Sequence, residues 1–140
     1  MSKTAVIYWS GTGNTEAMAM AVAEGMKDAG SSGEVFSVDA ISPDQLSAYD
    51  CIALGCPAMG AEVLEEDEFQ PFYDAARSAL NGKKVGLFGS YGWGDGEWMR
   101  DWEDDAKSAG ANLVMEGVMA NEAPDDDALE NCRALGKALS

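Results

Sequence analysis

The sequence predicts an α/β fold in which a doubly wound, five-stranded parallel sheet is covered by helices on both faces. Two observations support this fold class. Short apolar runs alternate with longer segments of helical periodicity along all 140 residues, the order expected for a parallel sheet with crossover helices. The apolar runs are also continuous instead of alternating with polar residues, which is typical of strands buried on both faces.

The first half of the chain contains three of these strands. The run "TAVIYW" is a short buried strand, and the helix that follows over residues 14–29 places Met18, Val22 and Met26 on one face. "GEVFSVD" is the second strand, and the connection after it contains a short helical turn near Pro43. "CIALGC" is the third strand, so the long loop that follows leaves its carboxyl end.

The pattern of apolar residues in the second half of the chain predicts two further strands and three helices. Apolar spacing indicates a helix whose buried face consists of Phe69, Phe72, Tyr73, Ala76 and Leu80. After it, "VGLFGS" is the fourth strand, and the next helix has Trp98, Trp102 and Ala106 on one side and ends near Gly110. "NLVMEGVMA" is the fifth strand. The final helix begins after Pro124 with acidic residues in its first turn, where the helix dipole favours them.

The charge of the chain limits the classes of partner. Twenty-five acidic residues against nine basic ones give a formal net charge of −16, which opposes binding to nucleic acids and to anionic membranes. The same charge favours docking to proteins with basic surfaces. No apolar run approaches the ~18 residues of a membrane span, and the N-terminus lacks the pattern of a signal peptide. We therefore expect one cytoplasmic, monomeric domain over residues 1–140.

Three cysteines and no histidine leave too few ligands for a zinc site or a four-cysteine iron–sulfur cluster. Cys51, Cys56 and Cys132 form no CxxC pair, so we expect reduced thiols packed in the core. Neither a metal site nor a set of catalytic residues is expected.

The segment Ser10-Gly11-Thr12-Gly13-Asn14-Thr15 follows the first strand and begins the first helix. Backbone N–H groups at a helix N-terminus bind anions, and two glycines let successive N–H groups converge on one point. Three hydroxyl groups can donate as well. The segment therefore predicts a phosphate site without lysine or arginine. The alternative is a turn capped by a serine or threonine, since the loop matches neither the Walker A motif nor the dinucleotide fingerprint.

Two other loops leave the same edge of the predicted sheet. "GCPAMGAEVLEEDE" places Met59 and Gly60 beyond the third strand, and "GSYGWGDG" places Tyr91 and Trp93 beyond the fourth. A tryptophan held between glycines and facing a methionine can enclose a flat apolar ring system; the alternative is a tryptophan folded back onto the domain. The acidic run after Met59 is interpreted as a solvated rim and not as paired catalytic carboxylates.

Together, the segments "VIYWSGTGNTEAM", "LGCPAMG", "KKVGLFGSYGWGDGEWM" and "NEAPD" resemble flavodoxin, in particular the short-chain type of anaerobic bacteria. The resemblance covers essentially the whole chain, and the combination of segments is specific although each loop alone is not. It implies the flavodoxin-like strand order 2-1-3-4-5 with FMN at the switch point between strands one and three, an order described for flavodoxin itself. It also implies a low-potential, one-electron carrier that shuttles electrons between redox enzymes in place of ferredoxin.

The resemblance implies a set of FMN contacts as well. Ser10 through Thr15 would hold the phosphate. Met59 and Trp93 would lie against opposite faces of the isoalloxazine ring, Gly60 would offer its carbonyl to N5, and Glu62 would accept a hydrogen bond from N3–H. The remaining expected cofactor-binding residues are Ala58, Ser90, Tyr91, Gly92 and Asn121.

One position departs from the family. The residue after the Met-Gly pair is often Asp, Gly, Asn or Ser in flavodoxins, and here it is Ala61. A positive φ is less favourable for alanine than for those residues. We therefore expect the one-electron-reduced state of FMN to be stabilised less than in an Ala61→Gly variant.

The alternative function is that of an FMN-dependent NAD(P)H quinone reductase. Such an enzyme needs space above the ring for a second molecule, which Met59 and Trp93 would fill. For the electron carrier, the expected partners are basic-surfaced reductases and oxidoreductases that otherwise use ferredoxin.

Overall fold

The structure is a computed structural model that describes residues 3–11, 13–59, 63–92 and 96–140. The strands in these ranges are β1 (Thr4–Tyr8), β2 (Glu34–Ser37), β3 (Cys51–Gly55), β4 (Lys84–Tyr91), β5 (Asn112–Leu113) and β6 (Val118–Asn121). They form one parallel sheet in the order β2-β1-β3-β4-β5, and β6 also pairs with β4. The expected strand order is therefore confirmed.

The α-helices in the described ranges are α1 (Asn14–Asp28), α2 (Phe69–Ala76), α3 (Glu97–Ser108) and α4 (Asp126–Ala138). Short 3₁₀ helices occupy Val38–Ala40, Pro43–Ala48 and Arg77–Leu80. The helix that the sequence extends to Leu80 thus changes from α to 3₁₀ geometry after α2. At the start of α4, the Asp125 carboxylate accepts a hydrogen bond from the Ala128 N–H (2.8 Å), which caps the helix. No described helix is long and apolar enough to cross a membrane.

The fifth strand differs from the sequence prediction, because it is divided into β5 and β6 with residues 114–117 between them. Both parts pair with β4, so the position of the strand in the sheet is as expected. Between them, the Gly117 N–H donates to the Glu103 carboxylate on α3 (2.7 Å). A Cβ at Gly117 would collide with Met99 on the same helix. The chain therefore leaves the sheet where it packs closely against α3.

The helices cover both faces of the sheet, two on each. Along β1, Ala5 and Ile7 belong to the cluster packed by α2 and α3, whereas Val6 and Tyr8 belong to the cluster packed by α1 and α4. All residues of β1 and β3 are buried, as their continuous apolar runs predict. The three cysteines are buried and free, which confirms the expected packed thiols.

Two glycines bring α1 and α4 into backbone contact. A Cβ added at Gly25 of α1 would overlap the backbone oxygen of Arg133, and one added at Gly136 of α4 would overlap the backbone oxygen of Val22. Both glycines are buried inside their helices. Because α1 begins at the first loop, this close contact also fixes the position of that loop relative to the sheet.

Candidate functional site

The loops that follow β1, β3, β4 and β6 meet at the carboxyl ends of the strands and enclose a cavity of about 540 Å³. The lining residues are Trp9, Gly11, Asn14, Pro57, Ala58, Met59, Ser90, Tyr91, Gly92, Glu122 and Ala123. A second cleft of about 520 Å³ adjoins the first loop and shares Trp9 and Gly11 with the cavity. Both volumes are in the usual range for small-molecule sites, roughly 300–1,000 Å³.

The cavity brings together seven of the residues that the sequence assigns to FMN: Gly11, Asn14, Ala58, Met59, Ser90, Tyr91 and Gly92. Ser10 and Gly13 line the second cleft. Thr15 is buried beneath the loop, with its hydroxyl 3.0 Å from the Ser90 hydroxyl. Asn121 lies outside the cavity lining, and its amide donates to the Tyr91 carbonyl (3.5 Å).

Four expected contact residues lie outside the described residues: Thr12, Gly60, Glu62 and Trp93. The departure from the family at Ala61 also lies outside them. The expectations about ring stacking by Trp93 and about the Gly60 carbonyl therefore remain predictions.

Two glycines, Gly11 and Gly13, determine the conformation of the first loop. Gly13 is the N-cap of α1 with a φ of 93°, a left-handed conformation that glycine adopts without a Cβ penalty. Its N–H donates to the Ser10 hydroxyl (3.0 Å). The predicted alternative of a serine or threonine N-cap is thus replaced by a glycine N-cap, which has no side chain to occupy the helix N-terminus. A Cβ at Gly11 would approach the Trp9 ring to 3.0 Å, so a larger residue there would press on the cavity wall.

No lysine or arginine is among the described residues that line the cavity or the second cleft. The charged side chains there are carboxylates: Glu122 at the cavity and Glu16, Asp39 and Glu68 at the second cleft. An anion at the first loop would therefore be held by backbone N–H groups, hydroxyls and the dipole of α1.

Apolar groups from the chain after β3 and from the end of β4 also line the cavity. Met59 is 36% exposed, and the Tyr91 ring lies 5.6 Å from the ring of buried Trp98, which holds it in place. Met59 and Val63 pair as an antiparallel bridge, with N–H···O distances of 2.8 and 3.3 Å. This pairing fixes the two ends of the segment that contains the residues expected around the ring.

Sequence reasoning missed several lining residues, of which Trp9 and Glu122 are the most informative. The sequence predicts Trp9 to lie in the first strand, although its position directly before a glycine-rich loop at a strand end is a signal for the site. Its indole N–H donates to the Glu68 carboxylate (3.1 Å). Glu122 has a φ of 58° and donates its N–H to the Tyr91 carbonyl (2.6 Å). A positive φ at glutamate is uncommon, and no local sequence pattern predicts it here.

These residues fit FMN. The cavity is large enough for a ring system of that size, with Met59 and Tyr91 available for apolar contact. The Gly11 and Gly13 backbone allows a phosphate to approach α1 closely, because neither residue presents a Cβ. The hydroxyls of Ser10 and Ser90 are near enough to the cavity and the loop to donate further hydrogen bonds.

Comparison with known proteins supports the same conclusion. The flavodoxin family model matches residues 6–136. A flavodoxin of Clostridium beijerinckii is 44% identical over 135 residues, which cover 96% of this chain and 97% of the relative. The solved structure of two-electron reduced Megasphaera elsdenii flavodoxin has a TM-score of 0.90 and 46% identity, with 97% of each chain covered.

Similarity to a quinone reductase is more limited. An NAD(P)H dehydrogenase (quinone) of Caulobacter vibrioides is 32% identical over 115 residues, and the match covers 64% of this chain and 57% of the relative. The flavodoxin relatives match nearly end to end. The chain belongs to the flavodoxin family and is an FMN-binding electron carrier, not an enzyme with a substrate of its own.

Proposed function

We propose that residues 1–140 form one FMN-binding domain that carries single electrons at low potential between cytoplasmic redox enzymes with basic surfaces, in place of ferredoxin. The observation that carries this proposal is the absence of lysine and arginine from the described lining of the cavity and the second cleft. When bound, FMN supplies the redox chemistry through its isoalloxazine ring. The carboxylates around the site leave negative charge on a reduced ring uncompensated, which lowers its reduction potential.

We assign the residues to three groups. The phosphate group consists of Ser10, Gly11, Thr12, Gly13, Asn14 and Thr15. The ring group consists of Ala58, Met59, Gly60, Glu62 and Trp93, and the group beside the ribityl chain and ring edge consists of Ser90, Tyr91, Gly92 and Asn121. The buried hydrogen bond between Thr15 and Ser90 (3.0 Å) supports the assignment, because it joins the phosphate loop to the end of β4.

Stepwise anaerobic photoreduction of the FMN-loaded protein, followed by absorbance, tests the proposed function. We expect a yellow protein with one FMN per chain that is reduced in two separate one-electron steps. Addition of NADH or NADPH without a partner protein should leave the spectrum unchanged. Steady NAD(P)H oxidation on addition of a quinone would contradict the carrier proposal and favour a quinone reductase.

Electron transfer to a basic partner should slow as salt increases, because the net charge of −16 steers association. Between 0.01 M and 1 M salt the screening length falls from ~30 Å to ~3 Å, which removes most of this steering. Stopped-flow rates with a basic c-type cytochrome as acceptor should therefore fall by about tenfold or more. A neutral quinone as acceptor provides the control and should show no such trend. Equal salt dependence for the two acceptors would contradict electrostatic docking.

A further inference from the structure

Glu65 is a buried carboxylate at the base of the segment that carries Met59. It is 6% exposed and lies two residues after Val63, which pairs with Met59. Glu65 itself is not among the residues that line the cavity. Its burial therefore needs an explanation other than contact with a ligand.

The carboxylate of Glu65 accepts three backbone hydrogen bonds. The donors are the N–H groups of Asp67 (2.9 Å), Glu68 (2.7 Å) and Phe69 (2.8 Å), at the turn that begins α2. Burial alone would raise the pKa of this carboxyl, but the three N–H groups outweigh it and hold the pKa below its usual value. Glu65 is therefore ionised near neutral pH and fixes the turn by charge-assisted hydrogen bonds.

The backbone of Glu65 is attached to the end of β3. Its N–H donates to the Cys56 sulfur (3.3 Å), and the Cys56 N–H donates to the Phe88 carbonyl of β4 (3.1 Å). Burial raises the pKa of the Cys56 thiol to about 12, so the sulfur remains a neutral thiol. At the other end of the segment, the Ala58 N–H donates to the Ser90 carbonyl (2.9 Å). Both ends of the segment are thus joined to the central strands.

Through Glu68, Glu65 is also linked to Trp9, another residue that lines the cavity. The Glu68 N–H donates to Glu65 (2.7 Å), and the Glu68 carboxylate accepts the indole N–H of Trp9 (3.1 Å). Trp9 lines both the cavity and the second cleft. One carboxylate therefore orders the base of the Met59 segment and the residue that holds the Trp9 ring.

We propose that Glu65 is a positioning residue for FMN. Glu65 fixes the Met59–Val63 pair and the Trp9 ring against the central strands, and it thereby sets the difference between the two one-electron reduction potentials. The inference rests on the proposed function, since it concerns the same site. Glu65 does not touch the cavity, so its influence passes through backbone geometry and through Glu68.

The test compares three variants of the FMN-loaded protein. Glu65→Asp keeps the charge but shortens the side chain, and Glu65→Gln removes the charge while keeping the length. Glu66→Gln is the matched control, because exposed Glu66 is the next residue and the charge change is the same. The measurements are the FMN dissociation constant, both reduction potentials, and hydrogen exchange at the amides of 67–69.

We expect both Glu65 variants to weaken FMN binding by about tenfold and to change the ratio of the two one-electron equilibrium constants by a similar factor. The amides of 67–69 should exchange faster in both. The Glu66→Gln control should move the two potentials together and leave exchange unchanged. If Glu65→Gln does not fold, Glu65→Asp alone decides the outcome, since it preserves the charge.

Two outcomes would overturn the inference. In one, Glu65→Gln and Glu66→Gln shift both potentials equally, so that the effect is one of charge. In the other, exchange at 67–69 accelerates but the dissociation constant and potentials match wild type, so that Glu65 stabilises only the turn. Failure of the wild-type protein to undergo two one-electron steps would instead contradict the proposed function.

Discussion

Gly136→Ala should lower the free energy of unfolding by about 3 kcal/mol, and Gly25→Ala should have an effect of the same sign. Helix propensity alone predicts the reverse, because alanine is more favourable than glycine inside a helix by ~1 kcal/mol. The packing of α1 on α4 decides the sign. The added Cβ would overlap the Val22 or the Arg133 backbone oxygen, and a backbone atom cannot move aside as a flexible side chain can.

Urea denaturation of the variants measures this effect. Gly30→Ala is the control, since Gly30 has a φ of 92° and no atom within 4 Å of an added Cβ. That change should cost only the strain of a left-handed alanine, about 1–2 kcal/mol. If Gly136→Ala proves as stable as wild type, α1 and α4 do not make the backbone contact described above.

The architecture could be predicted from local patterns because buried parallel strands leave continuous apolar runs. The runs of β1 and β3 are buried along their whole length, so periodicity and burial agree there. The division between β5 and β6 could not be predicted, since it depends on the contact of Gly117 with Glu103 and Met99 on α3. The contact joins residues 14 or more positions apart, so a local sequence pattern does not predict it.

Part of the candidate site could also be predicted, because its position follows from the parallel sheet. Loops at the carboxyl ends of parallel strands must converge, which places Gly11, Met59 and Tyr91 around one cavity. The hydrogen bond between Trp9 and Glu68 joins residues 59 positions apart. Glu122, which has a positive φ, donates its N–H to the carbonyl of Tyr91, a residue 31 positions away. Both features arise from tertiary packing, so neither was accessible from the sequence.

Removal of the phosphate from the ligand should weaken binding to the apoprotein by about a hundredfold or more. Hydrogen bonds to a charged group contribute ~1.5–3 kcal/mol each, and every 1.4 kcal/mol corresponds to about tenfold in affinity. The first turn of α1, which follows the Gly13 N-cap, offers several backbone N–H donors of this kind. Riboflavin keeps the ring and ribityl contacts but has no phosphate, so the comparison isolates the loop.

Salt should affect the two ligands differently. In a phosphate site built on lysine or arginine, salt weakens binding by screening the attraction. Here the described lining has no such residue, and the net charge of the chain is −16. Salt should therefore screen repulsion and tighten FMN binding, whereas riboflavin, which is neutral, should bind equally well at low and high salt.

Calorimetric titration of the apoprotein with FMN and with riboflavin, at low and high chloride concentration in a phosphate-free buffer, tests the claim that an uncharged loop holds the phosphate. We expect FMN to bind at least about a hundredfold more tightly than riboflavin and its affinity to increase with salt. Equal affinities for the two ligands, or an FMN affinity that falls as salt increases, would contradict it.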